Sequence, residues 1–267
     1  MLPALHNQIN DVTGGHPENA HEIADKHRRQ YFASIELPIS EEVFTAMDTI
    51  PRVSFLEPIL KIIDASSDDG VGLFRTALSG LVAQHVIEGE TVPIWIIDDL
   101  YINATDTVIV AEMIDRTLPE DPARRGRALV VGSGSGYVPA VLQELGFREV
   151  IGIERIEELA GISKESLHNH GYDRVEIITG NAAAYIDQLG QFDAILVFAE
   201  LDSENSEHLT FLYQILMCIT PEGRIIVPFK YGDTSQVIQI ECRESGAERQ
   251  FFQVSVGSVP FTPFMTE

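Results

Sequence analysis

The amino-acid sequence predicts an α/β protein: a mostly parallel sheet wrapped by helices, with one antiparallel hairpin at its edge, behind a mainly helical N-terminal region. Three observations lead there. After residue 123, short runs rich in branched apolar residues alternate with stretches whose apolar residues recur every three or four positions. A bend with three glycines at alternate positions joins the first such run to the first such stretch. The last two strand-like runs follow one another with no helix between them. The chain therefore divides into residues 1–123 and 124–267.

In the first part a helix is expected through "ENAHEIADKHRRQYFASI", after an opening segment without a steady period. Ser40 followed by Glu41 and Glu42 reads as a helix start, because a small hydroxyl can cap free N–H groups and acids complement the positive end of the helix dipole. "VGLFRTALSGLVAQHVIEG" and "DTVIVAEMIDRTL" carry helical spacing, the latter ending before Pro119. Trp95 and Tyr101 read as core aromatics.

In the second part the strands are "RALVV", "EVIGI", "RVEIIT", "FDAILVF" and "GRIIVPF", with helices expected in "GYVPAVLQELG", "IEELAGISKESLHNHG" and "SEHLTFLYQILMCIT". Near-continuous apolar runs are what a sheet buried on both faces demands. "SQVIQIEC" and "RQFFQVSVGSV" close the chain as the hairpin. The first strand ends at Val131 and the chain turns through Gly132, Ser133, Gly134, Ser135 and Gly136 into a helix starting near Tyr137. Such a turn points backbone N–H groups into the crevice beyond the strand ends and lets a ligand approach closely. The second strand ends in Glu154, placed to accept hydrogen bonds from both hydroxyls of a ribose, or else to pair with Arg155 at the surface.

Composition narrows the function. A 45% hydrophobic chain of 267 residues can bury a large core. Eighteen Lys plus Arg against 41 Asp plus Glu leave a net charge of −23, which repels nucleic acid and anionic membranes. "ARRGR" at 123–127 reads as the solvated entry to a strand rather than a basic patch, and lysine is confined to Lys26, Lys61, Lys164 and Lys230. Neither a bilayer-length apolar run nor a secretion signal is evident, so a cytoplasmic protein is expected. Cys218 and Cys242 have no metal-type spacing and read as core residues, as a reducing compartment allows. His168 and His170, at a helix end before Gly171, complement the helix dipole, and no metal is expected.

The bend spaces its glycines G-x-G-x-G, unlike the G-x-G-x-x-G of dinucleotide folds, and no Lys-Ser/Thr pair follows it as in triphosphate loops. S-adenosyl-L-methionine is the nucleoside cofactor that remains. With "VVGSGSGYVPAVLQELG", "VIGIER", "GYDRVEIITGNA", "FDAILVFAE", "TPEGRIIVPF" and "VGSVPFTPF" in this order, and "AMDTIPRVSFL" before them, the chain resembles the protein-L-isoaspartate O-methyltransferases over roughly residues 40–60 and 101–264. The resemblance implies a Rossmann-like class I methyltransferase sheet. It implies that Gly132 to Gly136 line the methionine and ribose end of the cofactor, that Glu154 binds the ribose, that Asn181 and Ala182 flank the adenine, and that Val259 and Pro260 border the substrate peptide.

The sequence departs from that family's pattern at Val130, where an acid is usual, and at Gly180-Asn181-Ala182, where Gly-Asp-Gly is usual, so weaker cofactor affinity is expected. Of the family's Gln-Thr-Ile-Ser substrate run, Ile102-Asn103-Ala104-Thr105 keeps a hydroxyl at Thr105 alone, and an insertion around residues 60–95 adjoins it. A carboxylate is already ionised at neutral pH, so methyl transfer to it needs alignment and exclusion of water rather than a base. Thr105 would orient that carboxylate, or else cap the helix in "DTVIVAEM". Glu200 is expected to face the crevice or to end a strand in solvent. The expected substrate is an Asp-derived carboxylate in a protein or peptide: isoaspartate in a damaged protein, or an Asp of a maturing peptide bound for aspartimide. A non-catalytic binding or scaffold role is the alternative of a different class.

Overall fold

The computed structural model describes residues 39–65, 91–97, 100–245, 248–258 and 261–265. The helices expected around residues 18–35 and 71–89 lie outside them, as do Val259 and Pro260.

Helix α1 (Glu41–Thr49) starts after Ser40, whose side chain makes no cap; its backbone N–H instead donates to Asp115 Oδ1 at 3.0 Å. Helix α2 (Arg52–Ala65) follows. Then comes an element the spacing did not announce, an antiparallel hairpin of β1 (Val92–Ile97) and β2 (Leu100–Ala104) inside a region read as mainly helical. "VPIWII" and "LYINA" are apolar and β-branched with almost no alternation, so periodicity alone does not separate them from buried helix. Helix α3 (Thr107–Thr117) is capped by Asp106, which accepts from Val108 N at 2.8 Å and Ile109 N at 3.4 Å.

The sheet follows as read. Strands β3 (Arg127–Val131), β4 (Glu149–Glu154), β5 (Val175–Thr179), β6 (Phe192–Val197), a two-residue β7 (Leu201–Asp202) and β8 (Ile219–Tyr231) pair parallel with one another. Strands β9 (Thr234–Ser245) and β10 (Glu248–Gly257) run antiparallel to β8 and to each other, in the spatial order β10-β9-β8-β6-β3-β4-β5. The connecting helices are α4 (Tyr137–Glu144), α5 (Glu157–Asn169), the short α6 (Ala182–Tyr185) and α7 (Ser206–Met217).

Alternation along β3 sends Ala128 and Val130 to one face, against α1, α3 and α4, and Leu129 and Val131 to the other, against α6 and α7. All four are buried, which is why the run reads as unbroken apolar sequence. A third, smaller cluster joins Leu56 and Ile59 of α2, Ile94 of the hairpin, and Ile156, Leu159 and Ile162 at α5. This cluster seats the hairpin over the carboxyl ends of the central strands.

Candidate functional site

The chain runs from β3 outward through β4 and β5, then returns through β6 to β8, so the strand order reverses between β3 and β6. Helices leave in opposite directions there and a crevice opens at the carboxyl ends. A cleft of about 1040 Å³, counting its open mouth, occupies that crevice. The bend after β3 forms its floor, with Gly132, Gly134 and Gly136 all at positive φ (76°, 54° and 88°). A Cβ on Gly134 would project into the cleft, 3.7 Å from Ile94 Cδ1 of the overlying hairpin, while one on Gly136 would lie 2.5 Å from Ser163 Oγ. The first glycine of this pair leaves room for a ligand and the second lets α5 pack close.

Glu154 is 5% exposed and turns inward rather than toward Arg155. Its Oε2 accepts from Gly134 N at 2.8 Å and its Oε1 from Ile156 N at 3.0 Å, so the carboxylate ties the bend to the second strand. Burial pushes its carboxyl above the usual glutamate range, and the N–H donors of Ile156, Gly134 and Arg155 pull the other way. Ser133 and Ser135 also line the cleft and are buried. Ser133 Oγ has no hydrogen-bond partner among the described residues, an orphaned group that a bound ligand would satisfy.

Asn181 and Ala182 lie on the same cleft beyond β5, beside Gly180. Asn181 Oδ1 accepts from Ala183 N at 3.0 Å and so caps α6. Thr105 lies across the cleft, between β2 and α3. Because Asp106 caps α3, the capping role open to Thr105 in the sequence is already filled. The cofactor-side residues and Thr105, far apart in sequence, thus meet around one cavity. Val130 does not join them; it is fully buried in the core on the α1, α3 and α4 face.

Glu200 departs from both expectations. It is 9% exposed and does not line the cleft. Its backbone instead receives the C-terminal segment, with Glu200 N donating to Thr262 O and Phe264 N to Glu200 O, both at 2.8 Å. Phe264 is wedged there, stacked on Phe211 at 4.4 Å and edge-on to His208 at 5.5 Å. This seating brings Thr262, Pro263, Phe264 and Met265 to the cleft wall beside Phe198 and Ala199. His170 stacks on Phe55 at 5.0 Å at the C-cap of α5, while His168 lies 3.7 Å from Asp173. Trp95 is half-buried against the small cluster; the side chain of Tyr101 lies outside what is described.

Sequence reasoning passed over several lining residues. Arg52, Ile94, Asn103, Tyr137 and Thr262 all face the cleft; all but Ile94 stood in quoted family segments, yet none was given a role. Nothing local marks Ile94, which reaches the cleft through the packing of the hairpin over the bend.

A family model described as protein-L-isoaspartate(D-aspartate) O-methyltransferase matches residues 92–266. A protein-L-isoaspartate O-methyltransferase of Nitrobacter winogradskyi is 30% identical over 188 residues, covering 70% of each chain. One from Archaeoglobus fulgidus is 25% identical over 233 residues, 85% of this chain and 87% of that one. Among solved structures, a protein-L-isoaspartate O-methyltransferase superposes with a TM-score of 0.65 at 15% identity, over 89% of this chain and 65% of that chain. A Plasmodium falciparum chain of the same description, in complex with S-adenosyl-L-homocysteine, gives 0.60 at 19% identity over 92% and 98%. At such identities the structures speak for the fold.

Proposed function

The chain belongs to the protein-L-isoaspartate O-methyltransferase family, and from that premise we propose that it methylates isoaspartyl carboxylates of proteins or peptides in the cleft described above. It is an S-adenosyl-L-methionine-dependent carboxyl O-methyltransferase. The observation that carries the finer reading is convergence: the glycine bend, buried Glu154 and Thr105 line one cavity.

The residues present fit the cofactor. Gly134 leaves open the space that a side chain would fill, Ser133 Oγ is an orphaned buried hydroxyl, and Glu154 is a buried carboxylate able to accept ribose hydroxyls. Asn181 and Ala182 would bound the adenine side. When bound, S-adenosylmethionine supplies a sulfonium methyl group, which passes to a carboxylate oxygen and leaves a neutral thioether. Thr105 would hold that carboxylate through its hydroxyl, leaving one oxygen to react. Ile94, Ile102, Phe198 and Phe264 narrow the cleft with apolar surface and exclude water from the reacting pair. Val259 and Pro260, which precede the cleft-lining Thr262 in the sequence, would border the peptide.

The test is transfer of a labelled methyl group from S-adenosylmethionine to a synthetic isoaspartyl peptide and to its normal aspartyl counterpart. Methylation of the isoaspartyl peptide alone is expected. Equal methylation of both, or of neither while S-adenosylhomocysteine binds, would refute the isoaspartyl assignment.

A further inference from the structure

We propose that Arg52 is a positioning residue for methyl transfer, holding the turn that carries Thr105 against the cleft. The proposal rests on the methyltransferase reading above.

Arg52 opens α2, just after Pro51, and is only 4% exposed although arginine is seldom buried. Its Nη2 donates to Thr105 O at 2.9 Å and, more weakly, to Ala104 O at 3.4 Å, across more than fifty positions of sequence. Arg52 also lines the cleft, as do Ala104 and Thr105. Those two carbonyls belong to the end of β2 and the turn before α3, where the backbone has left one element and not yet entered the next. From the far side the turn is held by Asp106, which caps α3. Arg52 holds the near side. A planar guanidinium with fixed donors sets the direction of a peptide unit as a water molecule would not, and the Thr105 side chain follows its peptide. Without that clamp the Thr105 hydroxyl samples orientations away from the substrate carboxylate, and alignment is what this chemistry depends on.

The two sides of the cleft predict a split. Arg52 donates to the Thr105 turn, whereas Glu154 is tied to the glycine bend through Gly134 N, so loss of Arg52 should harm use of the peptide more than binding of the cofactor. The experiment compares wild type, Arg52→Met and Arg52→Lys for kcat and KM with an isoaspartyl peptide, S-adenosylhomocysteine affinity by calorimetry, and melting temperature. Arg52→Met should lower kcat/KM by about 10- to 100-fold, the worth of a charge-assisted hydrogen bond, with cofactor-product affinity within about threefold of wild type. Arg52→Lys, which can still donate to Thr105 O, should recover part of that loss. If Arg52 only stabilises the fold, both variants melt earlier but keep wild-type kcat and KM per folded molecule, and the proposal fails. Should Arg52→Met not fold, Arg52→Lys decides: raised peptide KM or lowered kcat supports the assignment and unchanged values overturn it. A wild-type protein inactive on the isoaspartyl peptide overturns the underlying reading, whereas active wild type with equally active variants overturns the Arg52 assignment alone.

Discussion

At the scale of single residues, Glu154 ties the glycine bend to the second strand on the wall of the cleft. Its carboxylate holds Gly134 N and Ile156 N while sitting almost wholly out of water. Glu154→Ala should weaken S-adenosylhomocysteine binding by about 1.5–3 kcal/mol, the usual worth of hydrogen bonds to a charged group, and calorimetry on the folded variant measures it. The pH dependence has a definite sign. Because burial raises its folded-state value, the contribution of Glu154 to folding is fully present below the ordinary glutamate range and is lost as pH rises through the raised value. As pH falls, melting temperatures should therefore shift in favour of wild type relative to a non-titrating Glu154→Gln variant. Thr105 poses a cleaner question now that Asp106 is known to cap α3. Thr105→Val should lower single-turnover methylation with melting temperature and cofactor affinity unchanged; a fully active variant removes the residue from the site.

At the scale of elements, the turn between β2 and α3 and the bend between β3 and α4 face each other across the cleft. Asp106→Ala should cost about 0.5–2 kcal/mol of stability, as loss of an N-cap does, read as a drop in melting temperature. The bend depends on a glycine outside it. A Cβ on Gly152 of β4 would lie 2.5 Å from Ile177 Cδ1 and 2.9 Å from Ser133 Cβ. Gly152→Ala should therefore destabilise by about 1–3 kcal/mol through overpacking and weaken cofactor binding by displacing Ser133. Wild-type affinity in that variant would mean the bend has room to give. The strands and helices after residue 123 were legible because each repeats its apolar residues at its own period. The β1–β2 hairpin was not, because its strands are short and nearly all apolar, and Ile94 packs into a cluster from α2 and α5 that no local pattern announces.

At the scale of the whole molecule, charge dominates. A net charge of −23 spread over 267 residues opposes the compact state by self-repulsion. Added salt should raise the melting temperature as the screening length shortens from about 10 Å at 0.1 M to about 3 Å at 1 M; an unchanged or lower value would show that repulsion is not limiting. The cleft itself is also a property of the whole chain, drawing its walls from α2, the hairpin, the carboxyl ends of β3, β4, β5 and β6 and the C-terminal segment. By itself the sequence determined the α/β alternation, the bend of Gly132 to Gly136 and the strand-end position of Glu154, since these depend on spacing between near neighbours. Tertiary structure alone decided that Asp106 rather than Thr105 caps α3, that Glu200 anchors the C-terminal segment instead of facing the crevice, and that Arg52 reaches the Thr105 carbonyl. The physical reason is that a side chain's direction and partners are set by the elements packed against it, and here those elements lie tens of residues away along the chain.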